Sequence, residues 1–468
     1  MQLPSLVSAL RQRAAKVAAL TLLSAVVGSR AVGMSRPLVR RQASPLQAAL
    51  QEVLAGDAAK HILAVEESVR PTYEALPKNA QGQIPPEDVF PAVVRSYFAK
   101  EHGWVVRGFE PPLLVANSTA VHSAEILGEK APGVAAALQA MRRSGHGLAL
   151  SDVVGTIAAI EHLVVEDSVG VLAHAYAANG LETAAELGEA DLHEVLRSYL
   201  LLFRYSEGAE VDQQEHEEIK ERAKDAPDWG SMVAFEEDAV RTSGLQGPTY
   251  KFSAVAGIVR DLARKYGKWQ DAECLDMKST LMRLGGAPGL APFEAFRKEP
   301  DHGTYQFREG AGYLAATGIL QAGEAPQVRI ANYLLGPSNC IAPSRYYTVC
   351  CLNDCERLLG DVEAQVRRPA PTAEALLAAV RPASEAAEAL RRLASAGEGL
   401  VPLHSSAFRE WLHGAFPNDC PLPTSPEAAA EDAELASASR WLWSQEACTR
   451  LPEWHPLSAS VADSVLEV

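Results

Sequence analysis

Cysteine is scarce in this chain of 468 residues, and so are aromatic side chains, basic charge beyond the N-terminus and long apolar runs. Each shortage excludes something. Aromatics make up 6% of the sequence while alanine and leucine are plentiful, a bias that favours helix over sheet. Residues 1–51 hold Arg11, Arg13, Lys16, Arg30, Arg36, Arg40 and Arg41 and no acid, so with a net charge of −16 the remainder carries −23. A body that acidic lacks the positive footprint of a nucleic-acid binder and repels anionic membranes. No stretch reaches the roughly 20 apolar residues that span a bilayer, so no transmembrane anchor is expected in the mature chain. The P-loop, the dinucleotide G-x-G-x-x-G, the G-x-S-x-G elbow and H-E-x-x-H are all missing, and no cofactor is expected.

What the N-terminus does contain is "LRQRAAK", then the apolar twelve "VAALTLLSAVVG", then "SRA" ending at Ala31. That order of basic, apolar and small residues predicts a signal peptide over 1–31 and entry to the secretory pathway, extracellular or luminal. An Arg-rich, acid-free leader also fits an organelle transit peptide, which is the alternative. The sequon Asn117-Ser118-Thr119 makes Asn117 the candidate glycosylation site of a glycoprotein.

From residue 45 the apolar spacing reads as helix after helix. In "FSAVAGIVRDLARKYG" the residues Val255, Ile258, Val259, Leu262 and Tyr266 share a stripe, and Gly267 is placed to end the helix. "DAECLDMKSTLMRLGG", "LSDVVGTIAAIEHLVV" and "GEADLHEVLRSYLLLF" follow the same period, and "YYTVCC" is the most strand-like run. The loop "PKNAQGQIPPED" puts Gly82 at position six and Ile84 at position eight, the frame of an EF-hand. Looser copies occur at "RRSGHGLALSD", "GLETAAELGEAD" and "RLGGAPGLAPFE". Calcium needs six to eight oxygens, several from carboxylates. The first loop offers Asn79, Gln81 and Asp88, and position one is Pro77, so these are weak calcium candidates and no metal site is assigned.

The expected fold is therefore mostly α, an array of degenerate EF-hand-like helix-loop-helix pairs followed by a disulfide-stapled helical C-terminal region. Its parts are a targeting peptide at 1–31, a first helix pair and connection at 45–125, a helical body at 126–330, a Cys-rich domain at 331–425, and an acidic helix with a loose tail at 426–468.

Six of the seven cysteines lie between 340 and 448: Cys340, Cys350, Cys351, Cys355, Cys420 and Cys448, with Cys274 alone upstream. In "NDCERLLGDVEAQV" Cys355 shares a face with Leu358, Leu359, Val362 and Val366 and points at a core. The adjacent Cys350 and Cys351 diverge by about 100° on a helix, which suits ties to two different neighbours. Disulfides are favoured over buried inert thiols, zinc ligation and a Cys nucleophile, because clustering accompanies a secretory leader and no zinc-ligand spacing is present. The odd count leaves at least one thiol, Cys274 or Cys448, free or paired between chains. "LVPLHSSAFREWLHGAFPNDCPLP" brings His404, Ser405, Ser406, His413 and Cys420 close in sequence, the raw material of a hydrolase site. The apolar spacing of Phe408, Trp411, Leu412 and Phe416 reads more simply as an amphipathic helix with His413 near its end.

"RIANYLLGPSNCIAPSRYYTVCCLNDCERLLGDVE" and "VPLHSSAFREWLHGAFPNDCPLP", with "FAKEHGWVVRGFEP" and "KYGKWQDAECLDMK", resemble a family of uncharacterised secreted proteins of marine protists. The NC…YY…VCC…C block and the P-x-x-C-P end carry the resemblance, which spans roughly residues 60–425. It implies a signal peptide and, in some members, a C-terminal membrane anchor that this tail lacks the apolar span to provide. It also implies that Cys274, Cys340, Cys350, Cys351, Cys355 and Cys420 form three bridges, with Cys448 the extra thiol. It supplies no activity and no catalytic residues. The expected function is non-catalytic binding or scaffolding toward an unidentified protein or glycan partner. The alternatives are a calcium-responsive EF-hand-like module and a hydrolase-like enzyme using the His404–Cys420 region.

Overall fold

The 29-residue helix over Leu150–Ala178 is buried on nearly every side of its first half, with Val153 through Glu161 buried without a break. A helix apolar all round has no face to give to water and must be surrounded. The computed structural model describes residues 44–54, 58–87, 89–110, 124–205, 211–298, 305 and 307–423, and the surroundings are built from these. Helices α1 (Pro45–Val53), α2 (Ala58–Ala75) and α3 (Val89–Glu101) lead to strand β1 (Trp104–Val106). Then come α4 (Glu125–Lys130), α5 (Pro132–Ser144), the central α6 (Leu150–Ala178), α7 (Glu189–Tyr205), α8 (Gln213–Lys224), α9 (Trp229–Ser243) and the long α10 (Phe252–Arg283). Helices α2, α7 and α10 pack directly on α6. A single apolar cluster joins Leu46, Val69, Phe98, Ile160, Leu196 and Val259, and takes in Tyr347 and Val349 from far along the chain.

Those last two residues belong to a small sheet. Strand β6 (Tyr347–Val349) lies between β1 and β5 (Ile341–Ser344), all antiparallel, with Trp104 opposite Val349 and Val106 opposite Tyr347. A second sheet has β4 (Gln327–Arg329) between β2 (Leu290–Pro292) and β3 (Leu320–Gln321). Around it α11 (Phe293–Arg297), α12 (Ala311–Ala316) and α13 (Ile330–Leu334) share a core with the end of α10. The C-terminal helices α14 (Asp354–Val366), α15 (Ala373–Val380), α16 (Ser384–Ala396) and α17 (Ser406–Ala415) form a third core, which includes Ala75 of α2. The protein is thus mostly α among its described residues: helix-loop-helix pairs followed by a disulfide-stapled helical C-terminal region.

The loops between helices pair as well. Ile84 and Leu148 exchange backbone hydrogen bonds of 3.1 and 2.9 Å, and Leu187 and Tyr250 exchange two of 2.9 Å. The Tyr73 hydroxyl donates to the carbonyls of both Gly82 and Leu148, at 2.9 and 3.0 Å, and so braces the first pair. Gly82, at φ +74°, takes the left-handed conformation that the sixth loop position calls for.

One expectation fails in an instructive way. Gly267 does not end its helix, because α10 runs through it to Arg283. Its role is proximity: a Cβ there would lie 1.9 Å from the His102 carbonyl oxygen. Glycine lets the turn after α3 press against the α10 backbone, and the helix pays for it in propensity. In an isolated helix Gly→Ala gains about 1 kcal/mol. Here Gly267→Ala is expected to lose about 1–3 kcal/mol net, since the clash is with backbone that cannot rotate away. Urea denaturation midpoints would check this, and a more stable variant would refute the tight approach.

Candidate functional site

All six cysteines of the described region are bridged: Cys274–Cys351, Cys340–Cys350 and Cys355–Cys420. The neighbours Cys350 and Cys351 do go to different partners, but from the segment between β6 and α14 rather than from a helix, which begins only at Asp354. Cys351 reaches α10, while Cys350 folds back on the 3₁₀ turn before β5. Cys355 faces the C-terminal core from α14 and holds the chain just beyond α17. Cys448 and Asn117 lie outside the described residues, as do the expected targeting peptide at 1–31 and the expected helix and tail at 426–468.

Of the weak calcium candidates, Asn79 is engaged in its own loop. The Asn79 side-chain oxygen accepts from the backbone N–H of Gln81 and of Gln83, both at 3.0 Å, so it closes its own loop. Gln81 is exposed, and Asp88 lies outside the described residues. No group of three or more His, Cys, Asp or Glu poised for a metal occurs among the described residues.

The histidine-serine-cysteine stretch is distributed among structural tasks. Ser405 Oγ caps α17 by accepting from Phe408 N at 3.2 Å. His413 Nδ1 donates to the Cys420 carbonyl at 2.8 Å, and the Cys420 sulfur is bound to Cys355, so no thiol among the described residues stands beside this imidazole. His404 Nε2 lies 3.0 Å from Glu363 Oε1, and Thr72 Oγ1 of α2 donates to Glu363 Oε2 at 2.5 Å. That pairing joins α2 to the C-terminal helices.

The densest polar constellation surrounds Glu161, in the middle of α6 and 1% exposed. Four side chains, from α2, α3, the turn after α3 and α10, converge on its carboxylate. Tyr97 of α3 donates to Oε2 at 2.9 Å, and Arg264 Nε of α10 donates to Oε1 at 3.3 Å. His61 Nε2 of α2 lies 3.2 Å from Oε1, and His102 Nε2, just past α3, lies 3.3 Å from Oε2. Both imidazole Nε2 atoms thus face the carboxylate at close range. His102 is fixed from behind, stacked on Trp104 at 4.4 Å with Nδ1 against the Arg264 carbonyl at 3.2 Å. Burial pushes the Glu161 carboxyl up, but His102 and His61 outweigh it and hold the group well below the usual carboxylate range. Burial and the same carboxylate drive the Tyr97 phenol far above its ordinary value. Glu236 shows the other balance. It contacts His193 at 2.7 Å and Arg197 at 3.3 Å, yet burial prevails and raises its carboxyl.

These are the residue types of an acid–base site, but both oxygens of Glu161 are held and the group is sealed from solvent. The arrangement acts as a clamp across α2, α3, α6 and α10. Sequence reading missed it, although a signal was present. Glu161 has Ile157, Val164 and Val165 at i−4, i+3 and i+4, which marks a carboxylate on a buried face. Compared with known proteins, the chain matches no family model, no curated protein and no solved structure.

The lowered Glu161 value fixes the sign of a pH dependence. Its contribution is complete above the unfolded-state value of about 4.3 and is lost as the pH falls below that. Glu161→Gln is expected to cost about 1.5–3 kcal/mol at pH 7, because Tyr97 and Arg264 lose their charge-assisted hydrogen bonds to a buried carboxylate. The gap between variant and parent should narrow at pH 3. Equal gaps in denaturant midpoint at the two pH values would show that the charge contributes nothing.

Proposed function

We propose that this is a non-catalytic, disulfide-stapled helical protein of an oxidising compartment, reached through the secretory pathway, which binds or scaffolds a protein or glycan partner. The observation that carries the reading is the complete pairing of the six cysteines into three bridges across separate segments. Such bridges persist where thiols are not kept reduced. Three further points support it: the 1–31 leader, the sequon at Asn117, and the lack of a helix long and apolar enough to cross a membrane among the described residues. The buried carboxylates of Glu161 and Glu363 each join separate helices, which favours a scaffold over a catalyst.

The intact mass of the mature protein after alkylation, with and without prior reduction, tests this reading. One label at most, on Cys448, is expected without reduction, together with loss of the leader near Ala31 and added glycan mass. Six or seven labels on a chain that retains its N-terminus would overturn it.

The second reading, a calcium-responsive EF-hand-like module, is favoured by one observation. Two pairs of interhelical loops are joined by backbone bridges, and Ile84 of the first stands at the eighth position of an EF-hand frame. Calcium titration followed by thermal melting separates the two readings. A ligand at a hundred times its Kd stabilises by about 2.7 kcal/mol. A melting temperature unmoved by millimolar calcium is expected for the scaffold, whereas a rise of several degrees would favour the module.

A further inference from the structure

The chain contains six adjacent pairs of basic residues: Arg40-Arg41, Arg142-Arg143, Arg264-Lys265, Arg297-Lys298, Arg367-Arg368 and Arg391-Arg392. An endoprotease takes its substrate as an extended strand, pairing with backbone N–H and C=O groups that a helix already uses internally. The fold withholds five of the six pairs. Arg142-Arg143 lies in the last turn of α5, Arg264-Lys265 inside α10, and Arg391-Arg392 inside α16. Two of these arginines also hold carboxylates, Arg264 that of Glu161 at 3.3 Å and Arg391 that of Glu374 at 2.8 Å. Arg297 closes α11 directly after the fully buried Phe296. Arg367 stands in the left-handed conformation at φ +46°, and the pair is followed by Pro369, which has no N–H to offer a protease strand. Arg40-Arg41 is the sixth. It precedes the described residues, and the compact unit of the chain begins three residues later, at Ser44. Helix α1 is complete from that point. Ser44 Oγ accepts from Gln47 N at 3.1 Å, the Gln47 side chain accepts from Ser44 N at 3.4 Å, and Leu46 and Leu50 enter the central core. Nor does α1 run back through Ser44, which stands at φ −61° and ψ 156°, the extended geometry that the following Pro45 imposes.

We propose that Arg40-Arg41 is a processing site, cut after Arg41 by an endoprotease whose acidic subsites take the two guanidinium groups. The proposal rests on the secretory reading of the 1–31 leader, because the cut follows removal of that leader and releases residues 32–41 as a pro-segment. Water adds across the Arg41–Gln42 peptide bond. The C–N bond breaks, Arg41 keeps the new carboxylate and Gln42 takes the new amine. That amine then attacks Cδ of its own side chain and expels ammonia, which closes a five-membered lactam and leaves the N-terminus uncharged. The released segment carries Arg36, Arg40 and Arg41 and no acid, so the cut strips +3 from the chain and leaves the body at −23. The Ser44–Gln47 capping box and the 3.4 Å contact from Gln47 Nε2 to Asp152 of α6 remain on the mature side. The fold therefore keeps every contact that starts α1.

The test reads the N-terminus of the full chain secreted by a eukaryotic host, by intact mass and by mapping of the first peptide. A start at Gln42, open or as the lactam, is expected. Arg41→Ala should abolish that start and move it back to the leader cut near Ala31. A start at Val32 in the unmodified chain would overturn the proposal and leave the leader reading standing, whereas a start at Met1 would sink both. In a second arm, the chain from Val32 to Val468, folded with its bridges formed, meets a purified endoprotease specific for paired basic residues. After reduction of the products, a single cut after Arg41 is expected. No cut there, or cuts at any of the five other pairs, would show that the fold does not single out Arg40-Arg41 and would end the proposal.

Discussion

The burial of α6 is the constraint on which the rest of the structure depends. An apolar helix of this length satisfies its own backbone hydrogen bonds but leaves its whole circumference to be covered. Helices α2, α7 and α10 supply that cover, and each arrives from a different part of the chain. A carboxylate in the middle of such a helix is costly unless it is paired and hydrogen-bonded. Glu161 therefore also dictates what the surrounding helices must present: imidazole from α2, phenol from α3, guanidinium from α10. The clamp adds specificity to a packing that apolar contacts alone would leave free to slide, since a shifted helix would strand a buried charge.

The same logic recurs at Glu363, where Thr72 and His404 hold the C-terminal helices against the far end of α2. Helix α2 thus carries a polar contact to each of two buried carboxylates, His61 toward the central core and Thr72 toward the C-terminal one. The bridges reinforce this layout. Closing loops of 77 and 65 residues constrains the unfolded chain by about 4–5 kcal/mol each, against about 3 for the ten-residue loop. The two large contributions are those that tie the Cys-rich stretch to α10 and to the turn after α17.

Much of the helical layout was legible in residue spacing. Val255, Ile258, Val259, Leu262 and Tyr266 are all buried as their stripe requires, and Phe408, Trp411 and Leu412 likewise. Gly267 misled because a glycine that ends a helix and a glycine that lets another backbone approach look alike until the neighbour is known. The Glu161 clamp was hidden for a related reason. Its partners His61 and Arg264 are separated from it by 100 and 103 residues, and nothing local in either sequence announces the contact.

The sequence by itself determined the helical class, the acidic body and the shortage of cysteines, because each follows from composition or local periodicity. Only the tertiary structure decided which cysteine meets which, which loops pair, and which side chains meet the buried carboxylates. Those outcomes depend on distances between segments far apart in the chain, which the packing around α6 sets and no local pattern encodes.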